Sequence, residues 1–146
     1  QFSYRFDVDE SLLDCLCSKI TLQPILENAI LHGFGEFVED GEITVSVRPD
    51  GTDILMTVTD NGVGMEKSKL AELLAKKDKP AVNTKRGGYG IGNILERLCI
   101  YYDDRFTFQI ESAILTGTTV TIRIPHSRND SPQIHAERTM NPPEEN

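Results

Sequence analysis

The chain has 146 residues, 38% of them hydrophobic, which suits one compact domain with its own core. Its net charge of −8 argues against a nucleic-acid binder. No apolar run reaches the length that spans a bilayer, and the N-terminus does not read as a secretory signal.

In chain order, "FSYRFDV" (2–8) alternates apolar and polar residues, the period of a strand. "DESLLDCLCSKI" leads into "TLQPILENAILHG" (21–33), which reads as an amphipathic helix. Leu22, Ile25, Leu26, Ala29, Ile30 and Gly33 form its apolar stripe, Pro24 suits the first turn and Gly33 the stop. Asn28 and His32, four apart, share one flank of that stripe beside Pro24, while Glu27 lies about a hundred degrees round. "EITVSVR" (42–48) and "DILMTVTD" (53–60) are β-rich runs joined by "PDGT", a hairpin signal. "MEKSKLAELLAKK" (65–77) carries Leu70, Leu73 and Leu74 at helical spacing, and "DKPAVNTKRGGYG" breaks it into a loop expected to be mobile. "IGNILERLCIYY" (91–102) returns to helix, with Ile94, Leu95, Leu98 and Tyr101/Tyr102 on its apolar side. "RFTFQIESA" and "TGTTVTIRIP" make a last hairpin, and residues 127–146 are polar enough to be expected disordered. The order β-α-β-β-α-α-β-β predicts an α+β fold, a two-layer sandwich with helices on one face of a sheet.

Three features point to chemistry. Between Lys67 and Arg86, Lys67, Lys69, Lys76, Lys77, Lys79, Lys85 and Arg86 face only Glu72 and Asp78, a basic stretch on an acidic chain that suits a cover for a small polyanion. "DNGVGM" (60–65) follows a strand, and "RGGYGIGN" (86–93) opens a helix whose first N–H groups favour phosphate. Neither cluster is a P-loop or a dinucleotide fingerprint. Cys15, Cys17 and Cys99 lack metal spacing and read as reduced thiols. Starting at Gln1 rather than Met, the chain is expected to be a section of a longer protein.

Taken together, "LQPILENAILHG", "DNGVGM", "GYGIGNILERLCIYY" and "GTTVTIRIP", in this order and spacing, resemble the N, G1, G2 and terminal boxes of a histidine-kinase catalytic domain. The likeness is greatest to LytS/YesM-type bacterial sensor kinases, within the GHKL superfamily that includes gyrase and MutL. It covers about residues 3–125 and implies a Bergerat-type ATP-binding fold with a mixed, mostly antiparallel sheet. It also divides the chain into a catalytic domain, 1–126, and a tail, 127–146.

By that resemblance, Asn28 coordinates a Mg²⁺ ion bridging the phosphates of ATP, and His32 lies near the phosphates or sugar. Asp60 accepts from the adenine amino group, supported by Thr118. Gly62 and Gly64 let the backbone pass the base, while Gly88 and Gly90 close a lid on which Lys85 and Arg86 meet the phosphates. Asn93 and Arg97 fit the pattern as structural residues. Glu27 is kept as a second catalytic candidate, because some related kinases use an acid in this box to assist the accepting histidine. Two positions depart from the family. Leu31 stands where many histidine kinases have a basic residue, and Pro24 stands where gyrase-type ATPases have the water-activating Glu. The implied function is transfer of the ATP γ-phosphate to a histidine on an upstream dimerisation segment, with a response regulator as the next acceptor. The parent protein is expected to be a membrane-bound homodimer and this section a cytoplasmic domain. The alternatives are a non-catalytic nucleotide-gated module and an ATP hydrolase of the gyrase/MutL type.

Overall fold

A computed structural model describes residues 2–15, 22–34, 40–75 and 91–126. Five strands, β1 (Phe2–Val8), β2 (Gly41–Asp50), β3 (Asp53–Asp60), β4 (Thr107–Ala113) and β5 (Gly117–Pro125), form one sheet in the order β1-β2-β3-β5-β4. β1 runs parallel to β2, and every other pairing is antiparallel. The helices are α1 (Gln23–Asn28), α2 (Lys67–Ala75) and α3 (Ile91–Tyr102). The α+β architecture expected from the sequence, with its mixed sheet, is what the chain forms.

Strict alternation along the strands decides which face is buried. Ile43 and Val45 of β2, Ile54, Met56 and Val58 of β3, Phe108 and Ile110 of β4, and Val120, Ile122 and Ile124 of β5 all reach one core. Ile25 and Ala29 and, from α3, Ile94, Leu95 and Leu98 cover it. The intervening residues make a polar outer face, where the hydroxyls of Thr59 and Thr119 lie 3.2 Å apart and Arg48 pairs with Asp7. Two hairpins supply the central strands. Gly51, at φ +62°, turns β2 into β3, and β4 meets β5 from Thr107↔Arg123 to Ala113↔Gly117. They join by an eight-residue register between β3 and β5, Asp53↔Pro125 at one end and Asp60↔Thr118 at the other.

Several local expectations differ from what forms. The helix predicted over 21–33 is α-helical only to Asn28 and widens into a π-helical turn over Ala29–Gly33. A π turn adds a residue to its hydrogen-bonded loop and so shifts the phase of the residues after it. Ala29 and Gly33 stay buried, while Ile30, expected on the apolar stripe, is exposed. The helix expected from residue 65 begins at Lys67, and the Met65 N–H ahead of it donates to Ser112 Oγ of β4 at 2.9 Å. Tyr101 is exposed, leaving Tyr102 to pack against the core. The segment before α1 opens with a 3-10 turn, Glu10–Leu12, that buries Leu12. In β1, Tyr4 and Phe6 pair with Ile43 and Val45 and so share the core-facing side, yet they are 70% and 60% exposed. β1 is an edge strand, and no described helix reaches over it. The glycine-rich loop expected to be mobile (78–90) and the tail expected to be disordered (127–146) lie outside the described residues, as does Cys17.

Ile122 is fully buried on a strand inside the sheet, so Ile122→Ala is expected to lower the unfolding free energy by about 2–5 kcal/mol. Tyr4→Ala, at the uncovered edge, should cost less than about 1 kcal/mol. Urea titrations of both variants check the contrast.

Candidate functional site

A cavity of about 570 Å³ opens between the sheet and the three helices, within the size range of small-molecule sites. Pro24, Ile25, Glu27, Asn28, Leu31 and His32 form one wall, and Lys69, Glu72 and Leu73 of α2 form another. Val58, Asp60, Thr118 and Val120 provide the floor from the sheet, with Ile91 and Ile94 of α3 beside them.

Asp60 ends β3 and is the one charged residue among the described residues that is buried, at 6% exposure. Its Oδ1 accepts two backbone bonds, from Gly62 N–H at 2.9 Å and Thr118 N–H at 3.3 Å. Oδ2 accepts from no described protein donor, so the carboxylate is held by one oxygen and offers the other. Burial pushes its pKa above the ordinary 3.8, and the N–H groups of Gly62 and Thr118 pull it back down.

Close backbone crossings hold this residue. A Cβ on Gly62 would stand 2.2 Å from the Gly33 carbonyl oxygen, which accepts from Val63 N–H at 2.9 Å. Gly64 and Gly117 sit at φ +66° and +103°, where L side chains are strained, and a Cβ on Gly117 would stand 1.9 Å from the Asp60 carbonyl oxygen. The backbone of Val63 continues the ladder by accepting from Leu115 N–H at 2.8 Å. Ser112 Oγ lies 2.9 Å from Thr118 Oγ1 and 3.1 Å from the Gly117 carbonyl, tying β4 into the same corner. Asn61 turns outward, its Oδ1 accepting from Glu42 N–H at 2.7 Å.

The cavity thus gathers Glu27, Asn28, His32, Asp60, Gly64 and Thr118 from the residues expected at the site. Gly62 does not line it; its close approach is to Gly33, and its N–H orients Asp60. Lys85, Arg86, Gly88 and Gly90 lie outside the described residues. The wheel separates Glu27 from Asn28, yet both line the cavity. What distinguishes them is their bonding. Glu27 Oε1 accepts from Gln23 Nε2 at 2.8 Å, toward the start of the helix, whereas the half-buried Asn28 has no side-chain hydrogen bond to any described residue. Sequence reading missed Lys69, the one lysine or arginine among the described lining residues, and Glu72. Both belong to the stretch expected to cover a small polyanion, but nothing in its periodicity says which of its polar residues line the cavity.

An open sheet covered on one face by helices, with a buried carboxylate and tight glycine crossings at a cavity floor, defines an α+β domain with a site the size of a small molecule. Residues 19–128 match the family described as histidine kinase-, DNA gyrase B-, and HSP90-like ATPase, and the chain belongs to that family. Among curated relatives, sensor histidine kinase YesM of Bacillus subtilis (strain 168) is 30% identical over 125 residues, 86% of this chain and 20% of that protein. Sensor protein LytS of Oceanobacillus iheyensis is 35% identical over 98 residues, 67% of this chain and 17% of that protein. The chain therefore spans about a fifth of the length of the relatives it matches. The fold is shared with the catalytic domain of histidine kinase ThkA, at a TM-score of 0.56 and 18% identity over 85% of this chain and 78% of that one. It is shared too with the blue-light activated histidine kinase of Erythrobacter litoralis EL346, at 0.58 and 20% identity over 85% of this chain and 35% of that one.

The sign of Asp60's pKa shift fixes a stability profile. The folded chain keeps the Asp60 proton to higher pH than the unfolded chain, so the stability this proton carries is present below pH 3.8 and lost as pH rises through the raised value. Asp60→Asn has no such loss and retains an oxygen for the two N–H groups. The stability of the variant relative to wild type is expected to increase with pH above 3.8 and then level off, as read by urea unfolding across the acidic to neutral range.

Proposed function

We propose that this chain is the ATP-binding catalytic domain of a two-component sensor histidine kinase. It presents the ATP γ-phosphate to a histidine on a dimerisation segment that these 146 residues do not contain, and a response-regulator aspartate is the next acceptor. The parent is a membrane-bound homodimer with this domain in the cytoplasm; among the described residues no helix is long and apolar enough to cross a membrane.

The observation that carries the reading is Asp60, a buried carboxylate with one oxygen locked by two N–H groups and the other uncommitted on the cavity floor. A fixed acceptor matches the exocyclic amino group of adenine and opposes the carbonyl that guanine carries at the same place. Val58, Ile94, Ile110 and Val120 give the apolar surround that a purine ring needs. Thr118 supports the carboxylate through its N–H.

The phosphates then lie toward Asn28, His32 and Lys69. The donor chemistry of this wall fits Mg²⁺: an uncommitted amide oxygen on Asn28 is a hard ligand, and this ion takes few protein ligands beside phosphate and water oxygens. When bound, Mg²⁺ neutralises phosphate charge and fixes its orientation. Lys69 supplies the cation that Leu31 does not. Lys85 and Arg86, close to Gly88 and Gly90 in sequence, add charge from the segment that precedes α3 in the chain. Glu27, held by Gln23, is the acid nearest Asn28 in the chain, and Pro24 beside it offers no base to activate water.

Calorimetry with adenosine, Mg-ADP and Mg-GDP tests the site. Wild type should bind the adenine ligands and not Mg-GDP, and Asp60→Asn should lose adenosine. Lys69→Met should weaken Mg-ADP about tenfold while leaving adenosine unchanged. Equal affinity for guanine would remove Asp60 from base recognition.

Phosphotransfer to a separately supplied acceptor segment tests the chemistry. Asn28→Ala should lower the rate by about a hundredfold or more, and Glu27→Gln far less. Equal losses in both variants would place Glu27 in the catalytic set. Without acceptor, ATP turnover should be far below that of a dedicated ATPase.

A further inference from the structure

Away from the cavity, a nucleophile stands against a base. Cys15, half-buried, follows the Glu10–Leu12 turn and packs on the core. His126 follows β5, and its Nε2 lies 2.9 Å from Cys15 Sγ. The ring is carried on a fixed backbone, since His126 N–H donates to the Thr52 carbonyl at 3.1 Å. Asp53↔Pro125 marks this end of the sheet and Asp60↔Thr118 the other, so the pair is remote from the buried carboxylate. Neither residue lines the cavity.

In the tautomer that leaves Nε2 unprotonated, this nitrogen is placed to take the thiol proton as sulfur attacks an electrophile. Cys99 provides an internal contrast. It is exposed on α3, in a shallow depression shared with Asp103 and Asp104 and lined, among the described residues, by no imidazole. Exposure alone ranks Cys99 as the more reactive thiol; the thiol–imidazole pairing ranks Cys15 first.

We propose that Cys15 is a site of oxidation by hydroperoxides, with His126 as its proton acceptor. A sulfur lone pair attacks one peroxide oxygen, the S–O bond forms and the O–O bond breaks. The thiol proton passes to Nε2 of His126 and on to the departing hydroxide or alkoxide, which leaves as water or alcohol. Sulfur is oxidised to sulfenic acid, and the peroxide is reduced by the same two electrons. The added oxygen takes the place of the direct Sγ–Nε2 contact, which joins residues 111 positions apart.

The test treats the 146-residue chain with limiting hydrogen peroxide beside a dimedone-type sulfenic-acid trap, and reads each cysteine by tandem mass spectrometry. Cys15 should be trapped at least about tenfold faster than Cys99, and His126→Gln should bring it down to the rate of Cys99. Trapping of Cys99 should not change. An equal or faster rate at Cys99 in the wild type, or an unchanged Cys15 rate in a folded His126→Gln chain, overturns the proposal. Should that variant melt early, denaturing urea provides the second measurement on wild type. The ratio of Cys15 to Cys99 should fall to about one when unfolding separates the pair, and a ratio unmoved by unfolding also overturns it.

Discussion

A carboxylate placed where water is excluded must be given donors, and much of the corner around Asp60 is the means of giving them. Two N–H groups must point at one oxygen, one from two residues on and one from across the sheet. That requires β3 and β5 to meet in a single register, with Asp60 opposite Thr118. It requires Gly117 and Gly62 to bring backbone where a side chain would collide. The π turn completes the enclosure by presenting the Gly33 carbonyl to Val63 N–H. Any one of these changes would leave a charge underpaired in a low-dielectric place, which folded proteins tolerate poorly.

Much of the fold was legible in the sequence because it rests on short-range rules. Alternation marked the strands, "PDGT" marked one hairpin, and the leucines and isoleucines of residues 91–102 marked α3 with its bounds. The four boxes marked the family, which no single box could do. What escaped reading depends on distant partners. Ser112 takes the Met65 N–H across 47 residues, a contact that no window around Met65 can register. The π turn brings the Gly33 carbonyl to Val63 N–H, and an ideal wheel has no place for it. Tyr4 and Phe6 have correct alternation, but whether a strand lies under helices or at an edge is a property of the whole sheet.

The site was legible to a similar depth. Helix spacing put Asn28 and His32 on one flank, and the resemblance carried by the four boxes implied them, Asp60 and Thr118 as site residues; all four line one cavity. Spacing on a helix separates directions, not distances, so it could not say that Glu27 also borders the cavity. Its bond to Gln23 is what distinguishes it from Asn28. Lys69 was hidden for the opposite reason: in a helix with several lysines, composition gives every one the same claim.

The register joining β3 to β5 also governs the order in which parts of the domain can exist. Each hairpin is built from neighbours in sequence and closes a short loop, whereas the β3–β5 seam spans some sixty residues, Asp60 to Thr118 being 58 apart. The seat of Asp60 draws one donor from each side of that seam, so neither hairpin alone contains it. Whatever small molecule occupies the cavity floor therefore binds only the assembled sheet. Its affinity is added to the cohesion of the two hairpins, and the most distant pairing in the centre of the domain is the one that ligand occupancy reinforces.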